Sequence, residues 1–236
     1  MRVTVLETGR PPKHLRGAHP DYPEMFRALL HPADANLRFE TVAVADNAPL
    51  PDPRTVEAVL ITGSPAGVYD PEPWIEPLED FIRGVAAVGA PQVGICFGHQ
   101  IMAQAFGGDV RKSDKGWGVG RHAYEVVETA DWMDPPLRAF ALAASHQDQV
   151  IAPPPTARVI ARSAHTEYAA LAYAHTPAIS FQGHPEMTAA FTADLVASRR
   201  GRIPDALVDG ALESLAAPTD HDIIARWIVR FFRSAR

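Results

Sequence analysis

Two short apolar runs, residues 58–62 (Ala-Val-Leu-Ile-Thr) and 91–95 (Pro-Gln-Val-Gly-Ile), are each cut off abruptly, the first by Gly63 and the second by Cys96. Between them Trp74, Ile75, Leu78, Phe81, Ile82 and Val85 recur at helical spacing, the pattern of a helix that buries one face. Strand, amphipathic helix, strand is a crossover unit, and crossovers join parallel neighbours, so the chain is constrained to an α/β fold whose sheet carries helices on both faces. Residues 2–6 and 37–43 read as further strands, and 98–106 as a helix stopped at Gly107-Gly108. Residues 116–127 and 158–174 look like short strands with turns between them, antiparallel additions to the sheet. From about residue 189 the pattern returns to helix, at 189–200, 204–215 and 220–232. The last of these puts Ile223, Ile224, Trp227, Ile228 and Phe231 on one face. That stripe is expected to pack on the sheet; a homodimer surface is the alternative. There is no internal repeat, and the Pro-rich patches at 49–53 and 153–155 are too short to link domains, so residues 1–236 read as one domain.

Composition narrows the function classes. At 236 residues the chain can bury a sizeable core, and 47% hydrophobic residues exclude a disordered chain. A formal net charge of −6 argues against a nucleic-acid partner, which would require a basic surface. Arg199, Arg200 and Arg202 are the one local cluster of arginines, and they read as a solvated helix end. The single cysteine excludes an internal disulfide and a multi-cysteine metal site, and it suits a reducing compartment. No signal peptide and no bilayer-length apolar run is visible, so the expectation is a soluble, cytoplasmic protein with no membrane partner.

The run Val93-Gly94-Ile95-Cys96-Phe97-Gly98-His99-Gln100 places a nucleophile where an apolar strand ends, with a glycine two residues away on each side. Gly-x-Cys-x-Gly is the cysteine form of a nucleophile elbow, in which small neighbours let a strained residue project from a sharp strand-to-helix turn. The helix that follows aims its positive end at the sulfur, and the Phe97 N–H is placed to meet an oxyanion. A buried structural cysteine is the plainer alternative. A thiol nucleophile needs a proton shuttle. Of ten histidines, His184 stands apart, because the apolar run 178–181 ends near it and open parallel sheets hold ligands at the carboxyl ends of strands. Glu186, two residues on, can reach back to the imidazole as the third member of a triad. A strand-end histidine is often only a satisfied structural group; joined to the elbow, it becomes the candidate base. His99 lies too close in sequence to Cys96 and on another helix face. Gly63 begins a glycine-containing turn after a strand, suited to a second oxyanion N–H. No Gly-Lys-Ser/Thr follows it, so it is not a phosphate loop, and neither a cofactor nor a metal is expected.

Three blocks together carry a family resemblance: Gly94-Ile95-Cys96-Phe97-Gly98-His99-Gln100, Phe181-Gln182-Gly183-His184-Pro185-Glu186, and Ser145-His146-Gln147-Asp148-Gln149-Val150. Across roughly residues 3–188 the chain resembles the class I, triad-type glutamine amidotransferases, and the third block resembles their GMP-synthase-like branch. The resemblance implies a flavodoxin-like sheet and a glutaminase reaction in which Cys96 attacks the side-chain amide of glutamine and His184 protonates departing ammonia. It implies that Gln100, Ser145, Gln147 and Asp148 hold the amino-acid end of the substrate, and that Gly63 belongs to the oxyanion loop. Two departures stand out: Gly63-Ser64-Pro65 occurs where many relatives have Gly-Gly-Pro, and no synthetase domain follows. Residues 61–74 and 115–120 look most like free-standing members such as the plant γ-glutamyl peptidases.

Three functions therefore compete. The chain is a stand-alone hydrolase of a γ-glutamyl amide, or a glutaminase subunit that feeds ammonia to a separate ATP-dependent synthetase partner, or a binding or regulatory protein on the same scaffold. The intact triad argues against the third.

Overall fold

Helix and strand alternate through the first half of the chain as the apolar spacing requires. The computed structural model describes residues 1–234. The order begins β1 (Arg2–Leu6), α1 (Tyr22–Leu30), β2 (Arg38–Val42), β3 (Ala58–Ile61), α2 (Ile75–Val88), β4 (Gln92–Ile95) and α3 (Phe97–Ala105). Seven strands follow: β5 (Asp109–Lys112), β6 (Gly118–Val126), β7 (Ala139–His146), β8 (Asp148–Ala152), β9 (Ala157–Arg162), β10 (Ala170–Tyr173) and β11 (Ala178–Phe181). Three helices close the chain: α4 (Ala189–Ala197), α5 (Asp205–Ser214) and α6 (His221–Ser234).

Nine strands form one sheet in the order β2-β1-β3-β4-β11-β10-β9-β6-β7. From β2 to β11 all neighbours are parallel; from β11 to β7 all are antiparallel. The chain runs from β1 outward to β2, then crosses back to β3, so the sheet reverses direction of growth beside β1. Open α/β sheets bind ligands at the carboxyl edge near such a reversal. The strands β5 and β8 make a separate two-stranded ribbon.

Alternation along each parallel strand sends side chains to two cores. Val3, Val5, Leu60, Val93 and Ile95 meet Phe26 and Leu30 of α1 and Trp227, Ile228 and Phe232 of α6 on one face. Val59 and Ile61 meet Leu78, Ile82 and Val85 of α2 and Ile101 of α3 on the other. Each buried aliphatic or Phe side chain contributes roughly 1.5–3 kcal/mol of transfer free energy. The α6 stripe thus packs on the sheet, and the Trp227 Nε1–H donates to the Pro135 carbonyl at 2.9 Å.

Four elements escaped the sequence reading: α1, β7 and the two ribbon strands β5 and β8. Helix α1 starts at Asp21, whose carboxylate accepts the Glu24 N–H at 3.0 Å, with Pro23 in the first turn; the cap was there to be read. Strand β7 is Ala-Phe-Ala-Leu-Ala-Ala-Ser-His, buried at seven of eight positions. Its alanines carry little strand propensity, and pairing with β6 and burial decide the outcome. Among the described residues, no helix is long and apolar enough to cross a membrane.

Candidate active site

Strands β3 and β4 are adjacent and parallel, β11 lies next to β4, and the candidate residues follow the carboxyl ends of all three. Gly63 comes two residues after β3, Cys96 directly after β4, and His184 three residues after β11. The elbow is real in geometry: Cys96 has φ 55° and ψ −101°, a left-handed conformation that L residues avoid and that costs on the order of 1–3 kcal/mol. The surroundings hold it there. The Cys96 N–H donates to the Phe181 carbonyl at 2.8 Å and the Gly98 N–H to the Thr62 carbonyl at 3.2 Å, tying the turn to both flanking strand ends. The two glycines are demanded by contact: a Cβ at Gly98 would sit 2.4 Å from the Ile61 carbonyl oxygen, and one at Gly94 2.4 Å from that of Gly98.

Phe97 is the first residue of α3, where a backbone N–H has no carbonyl one turn back to engage. It can therefore serve an oxyanion at the sulfur. Its ring is fully buried, edge-on to Trp74 at 5.4 Å between centroids. Gly63 lies across the site: a Cβ there would come within 3.0 Å of His184 Cε1 and 3.8 Å of Cys96 Cβ. Absence of a side chain at 63 keeps the space above the sulfur open.

His184 Nδ1 and Glu186 Oε1 are 2.7 Å apart, and both residues are buried. Burial opposes charge on this imidazole, but Glu186 and then Cys96 outweigh it and raise its pKa above the ordinary value. The His184 N–H also donates to the Ala143 carbonyl at 2.8 Å, pinning the segment to β7. His99, by contrast, is wholly buried in α3 with Nδ1 2.8 Å from Ser180 Oγ, and burial pulls its pKa down to about 3. It is a structural neutral imidazole.

The expected substrate residues divide into two kinds. Gln100 is buried, and its amide donates to the Asp148 carbonyl at 2.8 Å and to Gln182 Oε1 at 3.2 Å, so its NH₂ group secures the neighbouring chain segment. Ser145 is the penultimate residue of β7, Asp148 begins β8, and Gln147 alone joins the large sheet to the ribbon. The Asp148 carboxylate accepts the Tyr69 hydroxyl at 2.8 Å. Two cavities meet at Cys96 and Ser145. One, of about 280 Å³, is lined by Gln100, Gln147, Asp148, Lys112 and Trp117. The other, of about 250 Å³, is lined by Arg10, Arg16, Tyr22, Gly63, His184 and Arg199.

Arg199 corrects the reading of a solvated helix end. It lies just beyond α4, donates to Ser145 Oγ, and stacks over the Trp117 ring at 5.0 Å from its centroid. Burial pulls its pKa down, with Tyr22 and Cys96 working in the opposite direction. Arg200 and Arg202 are exposed as expected, Arg200 pairing with Asp205 and Asp209 at the surface. Nothing in the local run of arginines distinguished one from another. Tyr22 was missed because α1 was missed.

Comparison with known proteins gives consistent results. The family model described as glutamine amidotransferase class-I matches residues 21–195. A glutamine amidotransferase-like protein of Schizosaccharomyces pombe is 28% identical, covering 97% of each chain. Gamma-glutamyl peptidase 2 of Arabidopsis thaliana is 31% identical over 55% of this chain and 53% of its own. The solved structure of a glutamine amidotransferase from Thermotoga maritima superposes with a TM-score of 0.74 at 19% identity, covering 99% of this chain and 96% of that one.

Proposed function

The chain belongs to the class I glutamine amidotransferase family, and on that premise we propose that it hydrolyses a γ-glutamyl amide through a thioester on Cys96, without a synthetase partner. The observation that carries this reading is the buried His184–Glu186 pair, 2.7 Å apart, at the mouth of the strained Cys96 elbow. The Cys96 sulfur attacks the side-chain amide carbon, and the oxyanion that forms faces the Phe97 N–H and the backbone at Gly63. His184, held as an imidazolium by Glu186, gives its proton to the departing nitrogen as the C–N bond breaks. Water then enters, loses a proton to His184 and attacks the thioester carbon. Glutamate leaves and the thiol is restored. A nucleophilic thiol of this kind suits the reducing cytoplasm.

The two cavities support a leaving group larger than ammonia. If the γ-glutamyl head occupies the recess lined by Gln100 and Asp148, the other cavity remains for whatever departs. About 250 Å³ is several times the roughly 30 Å³ of one water-sized molecule, so it fits an amino-acid or peptide amine. The test is glutamate release from glutamine and from a γ-glutamyl dipeptide by the purified protein, alone and with cell extract plus ATP. Turnover of the dipeptide by the protein alone is expected. Silence alone, followed by strong glutaminase activity with extract, would reject the hydrolase reading in favour of ammonia supply to a synthetase.

A further inference from the structure

Four arginines line the two cavities: Arg10 is neutralised by carboxylates, while Arg16, Arg199 and Arg202, the last lining only the first cavity, have no carboxylate partner among the described residues. Arg10 is bound by both Glu7 and Asp46, through four hydrogen bonds of 2.6–3.2 Å. Arg16, on the same wall of the second cavity, uses its Nε–H on the Pro11 carbonyl at 2.7 Å and has no carboxylate partner among the described residues. Arg199, which also lines that cavity, is held by a hydroxyl and an aromatic face, neither of which cancels its charge. Arg199 is half-buried and Arg16 exposed; for Arg199 the lack of a counter-ion is costly and the cost is recovered when an anion arrives, while Arg16 adds a second positive charge to the same cavity. A guanidinium matches the geometry of a carboxylate, which it can bind through two parallel hydrogen bonds.

We propose that Arg16 and Arg199 form a receptor for a carboxylate carried by the leaving group, so that the preferred substrates are γ-glutamyl amides of amino acids or peptides with a free C-terminus. The proposal rests on the hydrolase reading above and adds the substrate class to it. Arg16 and Arg199 both lie outside residues 21–195, the stretch that matches the family model. The tight link from Arg199 to Ser145, which borders both cavities, also fixes the guanidinium beside the sulfur, where the bond to the leaving group breaks.

The experiment compares γ-glutamylglycine, its C-terminal amide and glutamine as substrates of the wild type, Arg16→Gln and Arg199→Gln. In the wild type, kcat/KM for the acid should exceed that for the amide by at least about tenfold, the worth of a charge-assisted hydrogen bond. Either substitution should collapse that ratio toward one. A wild-type ratio near one overturns the proposal, as does a ratio that survives both substitutions. If Arg199→Gln lowers all three substrates by the same factor, the guanidinium serves the γ-glutamyl α-carboxylate instead, and the proposal falls. Should the wild type release no glutamate at all, the hydrolase reading fails separately. Calorimetric binding to Cys96→Ala then decides the receptor: tighter binding of the acid, lost when Arg199→Gln is added, supports it, and equal or absent binding of acid and amide overturns it.

Discussion

The parallel and antiparallel halves of the sheet do different work. In the parallel half, β3, β4 and β11 are covered on both faces, and their carboxyl ends deliver Gly63, Cys96 and His184 to one spot. Each of those residues is positioned by its own strand within a few residues. In the antiparallel half β7 carries Ser145, and the adjoining ribbon strand β8 carries Asp148, but the partners of those residues come from elsewhere: Arg199 from 54 positions away and Tyr69 from 79. On the proposed function, the first half supplies the reaction centre from local geometry and the second a recognition surface from distant contacts. The proposed chemistry and the proposed selectivity should therefore be separable by mutation.

The largest expected effect is at Cys96. Cys96→Gly should abolish glutamate release by four or more orders of magnitude, as loss of a triad nucleophile does. The same change should raise stability by up to about 1 kcal/mol, because glycine accepts φ 55° without strain. Parallel measurements of turnover and denaturation midpoint check both. An active variant would remove the parallel half from the chemistry altogether.

Next comes Glu186→Gln, expected to lower turnover roughly ten- to ten-thousand-fold while leaving the fold intact. It also carries a pH signature. A folded-state pKa for His184 raised from 6.5 to about 10 contributes stability that is fully present below pH 6.5 and is lost as pH rises toward the folded value. Denaturation midpoints between pH 6 and 10 should fall more steeply for the wild type than for Glu186→Gln. Identical slopes would demote Glu186 to a turn residue.

The smallest effect belongs to the recognition half. Tyr69→Phe removes one hydrogen bond to Asp148, worth about 1 kcal/mol at most sites, and should raise KM for a γ-glutamyl substrate a few-fold with kcat unchanged. A fall in kcat with constant KM would blur the division between the halves.

The same division explains what the sequence disclosed. The elbow could be read because its requirements are local: an apolar strand, a nucleophile, and glycines where the Ile61 and Gly98 carbonyls leave no room for a Cβ. The His184–Glu186 pair could be read because the two residues are neighbours. Arg199 could not, since a guanidinium that turns inward has the same local sequence as one that turns out, and only Trp117 and Ser145 tell them apart. Strand β7 was hidden by its alanines, and the bracing of Asp148 by the Gln100 amide rests on a contact between residues 48 positions apart.

The single residue Gln147 between β7 and β8 has a consequence for how such a protein can vary. One extended residue spans about 3.5 Å, so the joint has no slack. An insertion there would displace Ser145 from Asp148 and break the register of two sheets at once. The turn from Ser113 to Trp117 lies at the same end of the ribbon, with the Ser113 N–H on the Gln147 carbonyl at 3.0 Å, but its tip is free of that constraint: Asp114 and Lys115 are exposed, and length added there would loop into solvent. Lineages that change what this site accepts are thus free to lengthen the turn at Asp114 and Lys115, while the one-residue joint beside it keeps a fixed length.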